Sequence, residues 1–382
     1  MILIYLLFEL FYYLYCKVFI YRVLNNRCYR KNRNIVSKEL SAEIHAHLKE
    51  YIINEEDLLQ FFTDLFTKRE LLTIENIKKI LSYIIYNTHP DDDIVDDDSI
   101  NEIVDIIKSK LGDLIQPDTP ISNKKDTISY HFMTNKLQII HKPFIFYIFM
   151  YFIRRCFNFY MYTLGFTNTI DPSTKLRVWI KNNTICDNNI PLVFIHGLGC
   201  GIMPYIGKIK RLHMDRRTII VPELPNISYD LYKCPPPSSV MISTSLYNIL
   251  VKQNIELIDI IGHSYGTNIL NIFQIKYPHM CNYKTYAEPA CFNIHQTHIP
   301  TKMYARNKHM YIYKDIYTQY ILGRCIFYEH TIIKNFDDKT SIILSKDDTL
   351  IPSCYIQKYI STNYPQVHVE MIEGKHGAYL CT

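Results

Sequence analysis

The spacing of apolar residues changes character along the chain, and each change predicts a different kind of element. Residues 1–24, MILIYLLFELFYYLYCKVFIYRVL, are almost continuously apolar and aromatic, a length that suits a bilayer span of about 20 residues. Glu9 and Lys17 interrupt the run, and a charge at mid-membrane is costly, so an interfacial helix is the alternative to an anchor. Residues 37–116 switch to apolar positions at i, i+3 and i+4. This spacing predicts helices over ELSAEIHAHLKEYII, EEDLLQFFTDLF, TIENIKKILSYIIY and INEIVDIIKSKLG. A second apolar block, residues 143–166, is split by Arg154 and Arg155. The eleven residues ahead of that pair are too few to span, which predicts an interfacial or re-entrant helix, with a buried core helix as the alternative.

From about residue 174 the pattern shortens. The β-rich runs KLRVWIKN, IPLVFIHG, RRTIIVPEL, ELIDIIGHS, YKTYAEP, TSIILSKDD and VHVEMIEGKH alternate with helical or turn-rich stretches. Near-continuous Val/Ile runs of this length mark strands buried on both faces of a parallel sheet, so the fold class is α/β. The expected organisation is an N-terminal anchor with its basic flank over residues 1–36 and a helical region over 37–173. An α/β domain follows over 174–382, with a helical cap at about 290–338.

Charge adds a location to this picture. Of a formal net charge of +5, residues 1–38 carry +6, seven Lys/Arg against Glu9 alone, which leaves the rest of the chain at −1. A nucleic-acid binder would carry its basic face on the folded domain. Here the basic cluster NNRCYRKNR follows the apolar run, as at the cytoplasmic end of an uncleaved anchor, so the expected partner is a membrane and the α/β domain faces the cytosol. The eleven cysteines are odd in number and include no C-x-x-C pair, which argues for reduced thiols rather than disulfides or a metal framework. The acidic run PDDDIVDDDS, residues 90–99, lacks the central glycine of a calcium loop and reads as a solvated loop capping the next helix. Neither a metal nor a cofactor is expected.

Candidate chemistry concentrates in the α/β region. Gly262-His263-Ser264-Tyr265-Gly266 stands where an apolar strand ends and TNILNIFQI begins. That is the strand–turn–helix setting in which a G-x-S-x-G serine projects from a strained turn, and the following helix aims its N-terminal N–H groups at the site. A serine nucleophile needs a base, and the base needs a carboxylate to orient it. Downstream, SIILSKDDTLIP ends a strand in acids, and VHVEMIEGKHGAYL ends one at His376, between Gly374 and Gly377. Both lie just past strand C-termini, where open α/β sheets hold their ligands.

The chain resembles serine hydrolases of the α/β-hydrolase superfamily over about residues 174–382. VFIHGLGCG resembles the oxyanion strand and loop of that family, GHSYG its nucleophile elbow, SKDDTLIP its acid loop with Ser345 in place of a glycine, and GKHGAYL its histidine loop. More narrowly, HGLGCGIMPY, HSYGT, AEPACFNIH and HKPFIFYIF are similar to membrane-associated hydrolases of fungi and other eukaryotes. The resemblance implies a mostly parallel sheet with helices on both faces, a helical cap, and a preceding helical region. It implies Ser264 as nucleophile, His376 as general base and Asp348 as the orienting acid, with Glu288 and Asp347 as alternatives. The backbone amides of Leu198 and Tyr265 would form the oxyanion hole. His263 reads as structural and Cys200 as a packed residue. The expected activity is hydrolysis of carboxylic esters of apolar or lipid-like substrates. The alternatives are an acyltransferase on the same scaffold, with an alcohol replacing water, and a non-catalytic membrane-bound interaction protein.

Overall fold

The computed structural model describes residues 2–25, 38–54, 58–59, 62, 72–86, 97–117, 137, 139–182, 190–213, 217–229, 236–292, 314–325 and 336–382. Eight strands form one sheet: β1 (Thr167–Ile170), β2 (Arg177–Lys181), β3 (Leu192–Ile195), β4 (Ile219–Glu223), β5 (Ile258–His263), β6 (Cys281–Ala287), β7 (Thr340–Ser345) and β8 (His368–Ile372). Their spatial order is β1-β2-β4-β3-β5-β6-β7-β8. β2 runs antiparallel to β1 and β4, and the pairings from β4 through β8 are parallel. β3 and β4 are buried at every position, as strands covered on both faces must be. β1 is the strand that hydrophobic patterning did not reveal. Its four residues, TNTI, are only partly buried at an edge, so they carry no apolar signature, and the sheet begins upstream of residue 174.

Ahead of the sheet, the helical spacing is realised as α1 (Ile2–Tyr15), α2 (Lys38–Asn54), α3 (Ile74–Tyr86), α4 (Asp98–Leu111) and α5 (Phe144–Thr163). The expected helix over 55–66 lies largely outside the described residues. Asp97, near the end of the acidic run, caps α4, its carboxylate accepting from the Ile100 N–H at 2.9 Å. Residues 90–96 of that run lie outside the described residues.

The apolar N-terminus continues from α1 through a π-helical turn (Cys16–Ile20) into Tyr21–Asn25. Leu3–Ile20 is long and apolar enough to be an anchor or a signal sequence, and little of it is buried. Glu9 turns back onto the protein. Its carboxylate accepts the Phe144 N–H at 2.6 Å, so it satisfies a donor at the start of α5. Tyr12 and Phe8 stack against Phe144 on the same side.

α5 is a single helix with two unlike faces. Tyr147, Met150, Arg154 and Met161 point inward at steps of three, four and seven residues, while Ile145, Ile148, Phe149, Phe152 and Phe159 are exposed. The two arginines of the block therefore separate. Arg154 is buried, bonding to the Ser228 carbonyl and pairing with Glu223 at 3.5 Å. Arg155 stays outside, donating to the Tyr151 hydroxyl at 2.9 Å.

Helices cover both faces: α6 (Ile206–His213) follows β3 on one, while α7 (Ser239–Lys252) after β4, α8 (Gly266–Lys276) after β5 and α10 (Ser353–Asn363) after β7 lie on the other. α9 (Ile316–Arg324) is the described part of the expected cap. It packs on the Pro225–Ile227 turn beyond β4, and residues 293–313 and 326–335 of that region lie outside the described residues. One apolar core unites α2–α4 with one face of the sheet, and a second, around Trp179, Phe194, Tyr205 and Met161, fills the other.

Candidate active site

The site begins at the end of β5. Ser264 follows the strand with φ of 51°, a left-handed backbone that costs a non-glycine residue of order 1–3 kcal/mol. The turn is held from several sides: the Ser264 N–H donates to the Ala287 carbonyl at 2.9 Å, and the Ser264 carbonyl accepts from the Thr267 N–H at 3.0 Å. Its flanking glycines are required by contact rather than by flexibility. A Cβ on Gly266 would fall 2.4 Å from the Ile195 carbonyl oxygen of β3, and one on Gly262 would fall 2.9 Å from the backbone of Gly266. Only residues without side chains let α8 start this close to the sheet.

His376 lies in the loop after β8. Its Nε2 is 2.9 Å from the Ser264 Oγ, and its Nδ1 is 2.7 Å from the Asp348 Oδ2. Asp348 follows β7, and its side chain is sealed from solvent. Its other oxygen accepts from the Leu350 and Ile351 amides at 2.8 and 2.9 Å, which fixes the carboxylate before it meets the imidazole. Burial alone would lower the His376 pKa, but the hydrogen bond and charge of Asp348, aided by the charge of Glu288, lift it above the ordinary value. The neighbouring Asp347 is exposed, and its amide is tied to the Gly374 carbonyl at 3.0 Å.

The loop after β3 passes beside Ser264. A Cβ on Gly197 would fall 2.9 Å from the Ser264 Cβ, so the glycine of HGLG is what lets the loop lie against the serine. Leu198 is next in the chain and half-buried. Tyr265, on the other side, is buried, with its hydroxyl 2.8 Å from the Ser239 Oγ of α7. His196 is a brace between β3 and β4. Burial pushes its pKa down to about 4, so the neutral ring can donate from Nδ1 to the Gly197 carbonyl and accept the Leu224 N–H at Nε2, at 2.7 and 2.9 Å.

Glu288, at the end of β6, stands next to this chain of residues but is not bonded to the His376 ring. One carboxylate oxygen, Oε2, lies 2.6 Å from the His263 Nε2 and accepts the Gly377 N–H at 2.7 Å. The other accepts the hydroxyl of Ser345. The serine that replaces a glycine in the acid loop is thus a buried donor to this second carboxylate. Burial would raise the Glu288 pKa, but His263, Ser345 and the charge of His376 hold it at about 2. On its far side, the His263 Nδ1 lies 3.0 Å from the Tyr205 hydroxyl, which accepts the Gly197 N–H at 2.8 Å. Nothing in the chain marks Tyr205, Glu223 or Arg154 as neighbours of the site, since each arrives from a separate element.

No family model matches the chain. A curated relative, the abhydrolase domain-containing protein abhd-5.2 of Caenorhabditis elegans, is 26% identical over 125 residues. That match covers 32% of this chain, and the chain spans only 28% of the relative's length. Among solved structures, a carboxylesterase of the thaumarchaeon Nitrososphaera gargenis is similar at 15% identity and a TM-score of 0.42, covering 56% of this chain and 92% of that one. A serine hydrolase of the bacterium Cycloclasticus zankles is similar at 12% identity, a TM-score of 0.42 and coverage of 56% and 92%. The sheet order and the strained elbow on β5 give the chain the α/β-hydrolase fold, and the curated relative it matches is a protein with an abhydrolase domain.

Proposed function

We propose that the protein is a membrane-associated serine hydrolase that cleaves carboxylic esters of apolar or lipid-like substrates through an acyl-enzyme. The observation that carries the reading is the unbroken hydrogen-bonded chain Ser264–His376–Asp348, with separations of 2.9 and 2.7 Å. In this reaction the Ser264 Oγ attacks the acyl carbonyl while the His376 Nε2 takes its proton. Asp348 holds the ring in the required tautomer and stabilises the imidazolium. Oxyanion charge falls on the Leu198 and Tyr265 amides, each such donor supplying about 3–4 kcal/mol at the transition state. His376 then protonates the leaving alcohol, and water repeats the sequence in reverse to free the acid and Ser264.

Two helices support the membrane reading. The outward sides of α1 and α5 are both apolar, and Phe8 and Tyr12 of α1 pack on Phe144 at the start of α5. α1 is the anchor in this proposal, α5 an interfacial helix, and residues 174–382 the cytosol-facing catalytic part. A cavity of about 320 Å³ between α1, residues 137–142 and α9, walled by Tyr12, Cys16, Leu137, Lys142, Tyr147 and Ile316, supports an apolar junction there; Ser264 is not among its walls.

The test is a fluorophosphonate probe applied to membranes carrying the full-length protein. Labelling that disappears in Ser264→Ala supports the acyl-enzyme; a folded wild type that stays unlabelled excludes it. A series of p-nitrophenyl esters of increasing chain length then examines the substrate class, which fails if acetate is turned over best.

A further inference from the structure

Glu288 shares with Ser264 a conformation that neither side chain favours. Its φ is 47°, at the end of the strand adjacent to the elbow strand, and it is completely buried. Strain of this kind persists only where the surroundings over-determine it. The surroundings are three elements. The Glu288 N–H donates to Ile343 of β7 at 2.7 Å, and the carboxylate takes the Ser345 hydroxyl at the end of that strand. It also takes the Gly377 N–H next to His376, and His263 of the elbow at 2.6 Å. Through His263 and the Tyr205 hydroxyl the same network reaches the Gly197 N–H of the loop beside the nucleophile.

We infer that Glu288 is a positioning residue for the proposed reaction: its single carboxylate ties the histidine loop and, through His263 and Tyr205, the oxyanion loop into one rigid unit, and its negative charge supports the imidazolium that forms on His376. This inference rests on the acyl-enzyme reading and assigns Glu288 a role other than triad acid. The charge is close enough to act, because ligand-capable atoms of His263, Glu288 and His376 all lie within 4.8 Å of one another. It is also not cancelled by its nearest partner. Burial keeps His263 neutral, its ring donating from Nε2 to Glu288 and accepting at Nδ1 from Tyr205. The other titratable groups facing this cluster are Asp348, His196 behind His263, and Tyr379, whose ring stacks 6.0 Å from that of His263. Lys208 of α6 lies 3.9 Å from the Tyr379 ring.

The experiment follows the rate of fluorophosphonate labelling against pH for the full-length wild type and Glu288→Gln in detergent micelles, with Ser264→Ala as the blank. Glutamine keeps the size of the side chain and removes its charge. Labelling at pH 8 should slow by about 10- to 100-fold, and the acid-limb midpoint should fall by about one pH unit, since His376 loses a stabilising charge. A Glu288→Gln protein that is slow but keeps the wild-type midpoint overturns the inference, because a displaced loop slows the rate without moving the titration. A wild type that does not label at all overturns both this and the acyl-enzyme reading. Should the variant fail to fold, nitrogen-15 histidine spectra of the wild type decide. His263 must remain in the neutral Nε2–H form through the range over which His376 titrates, and a His263 that protonates together with His376 overturns the inference.

Discussion

Two histidine–carboxylate pairs stand side by side at the C-terminal edge of the sheet, and they differ in what lies beyond each ring. In His376–Asp348 the nitrogens are 2.7 Å from the acid and 2.9 Å from the Ser264 hydroxyl, and the imidazole keeps some exposure to solvent. In His263–Glu288 the acid is 2.6 Å away, the other nitrogen faces Tyr205, and both side chains are sealed. The chemistry of the pairs is the same and their surroundings push their histidines in opposite directions, His376 up and His263 down. An imidazole that can take up a proton at an accessible serine suits a base. One that is held neutral between buried partners suits a brace.

Four measurements probe that division, from the largest expected effect to the smallest. Asp348→Asn should lower kcat by about 10⁴-fold through loss of the correct tautomer, whereas Asp347→Asn, on the exposed neighbour, should stay within about two-fold. Equal losses from the two would erase the distinction between the sealed acid and the exposed one. The pH profile of kcat/KM should show an acid limb above pH 6.5, because His376 must be neutral to accept the serine proton and Asp348 raises its pKa. A limb well below that value would mean that Asp348 does not act on the ring.

The brace should reveal itself in stability. The Glu288 pKa is about 2 when folded against an ordinary 4.5, so its contribution is fully present above about pH 4.5 and is lost as pH falls toward 2. Thermal melts of Ser345→Ala, which removes a buried donor to that carboxylate, should show about 1–3 kcal/mol of destabilisation near neutrality with the acid limb of activity unmoved. The smallest effect on catalysis should come from the outer face of α5. Phe149→Glu with Phe152→Glu should weaken binding to phospholipid vesicles while turnover of a soluble short-chain ester is unchanged. Unaltered vesicle binding would remove α5 from the membrane contact.

Much of this was legible along the chain because the signals are local. LVFI read as a buried strand since every position is apolar, TSIILS since its centre is a run of Ile and Leu, and GHSYG read as an elbow since its two glycines stand where only hydrogen fits. The acid and histidine loops followed from their places at strand ends. β1 escaped because TNTI has no apolar period at an exposed edge. Glu9 and Arg154 interrupted apolar runs without explanation, because their partners, the Phe144 amide and Glu223, lie 135 and 69 residues away in the chain.

The sequence by itself determined the class of sheet, the order of Ser264, the acids and His376 along it, and the presence of two apolar helices ahead of it. Each follows from residue types within a window of about ten positions. Which acid meets which histidine was decided only in three dimensions. Asp348, Asp347 and Glu288 are all carboxylates near strand ends, and nothing in their spelling separates them. Strand register and the left-handed turns at Ser264 and Glu288 do so, since they set which oxygen comes within hydrogen-bonding reach of which ring.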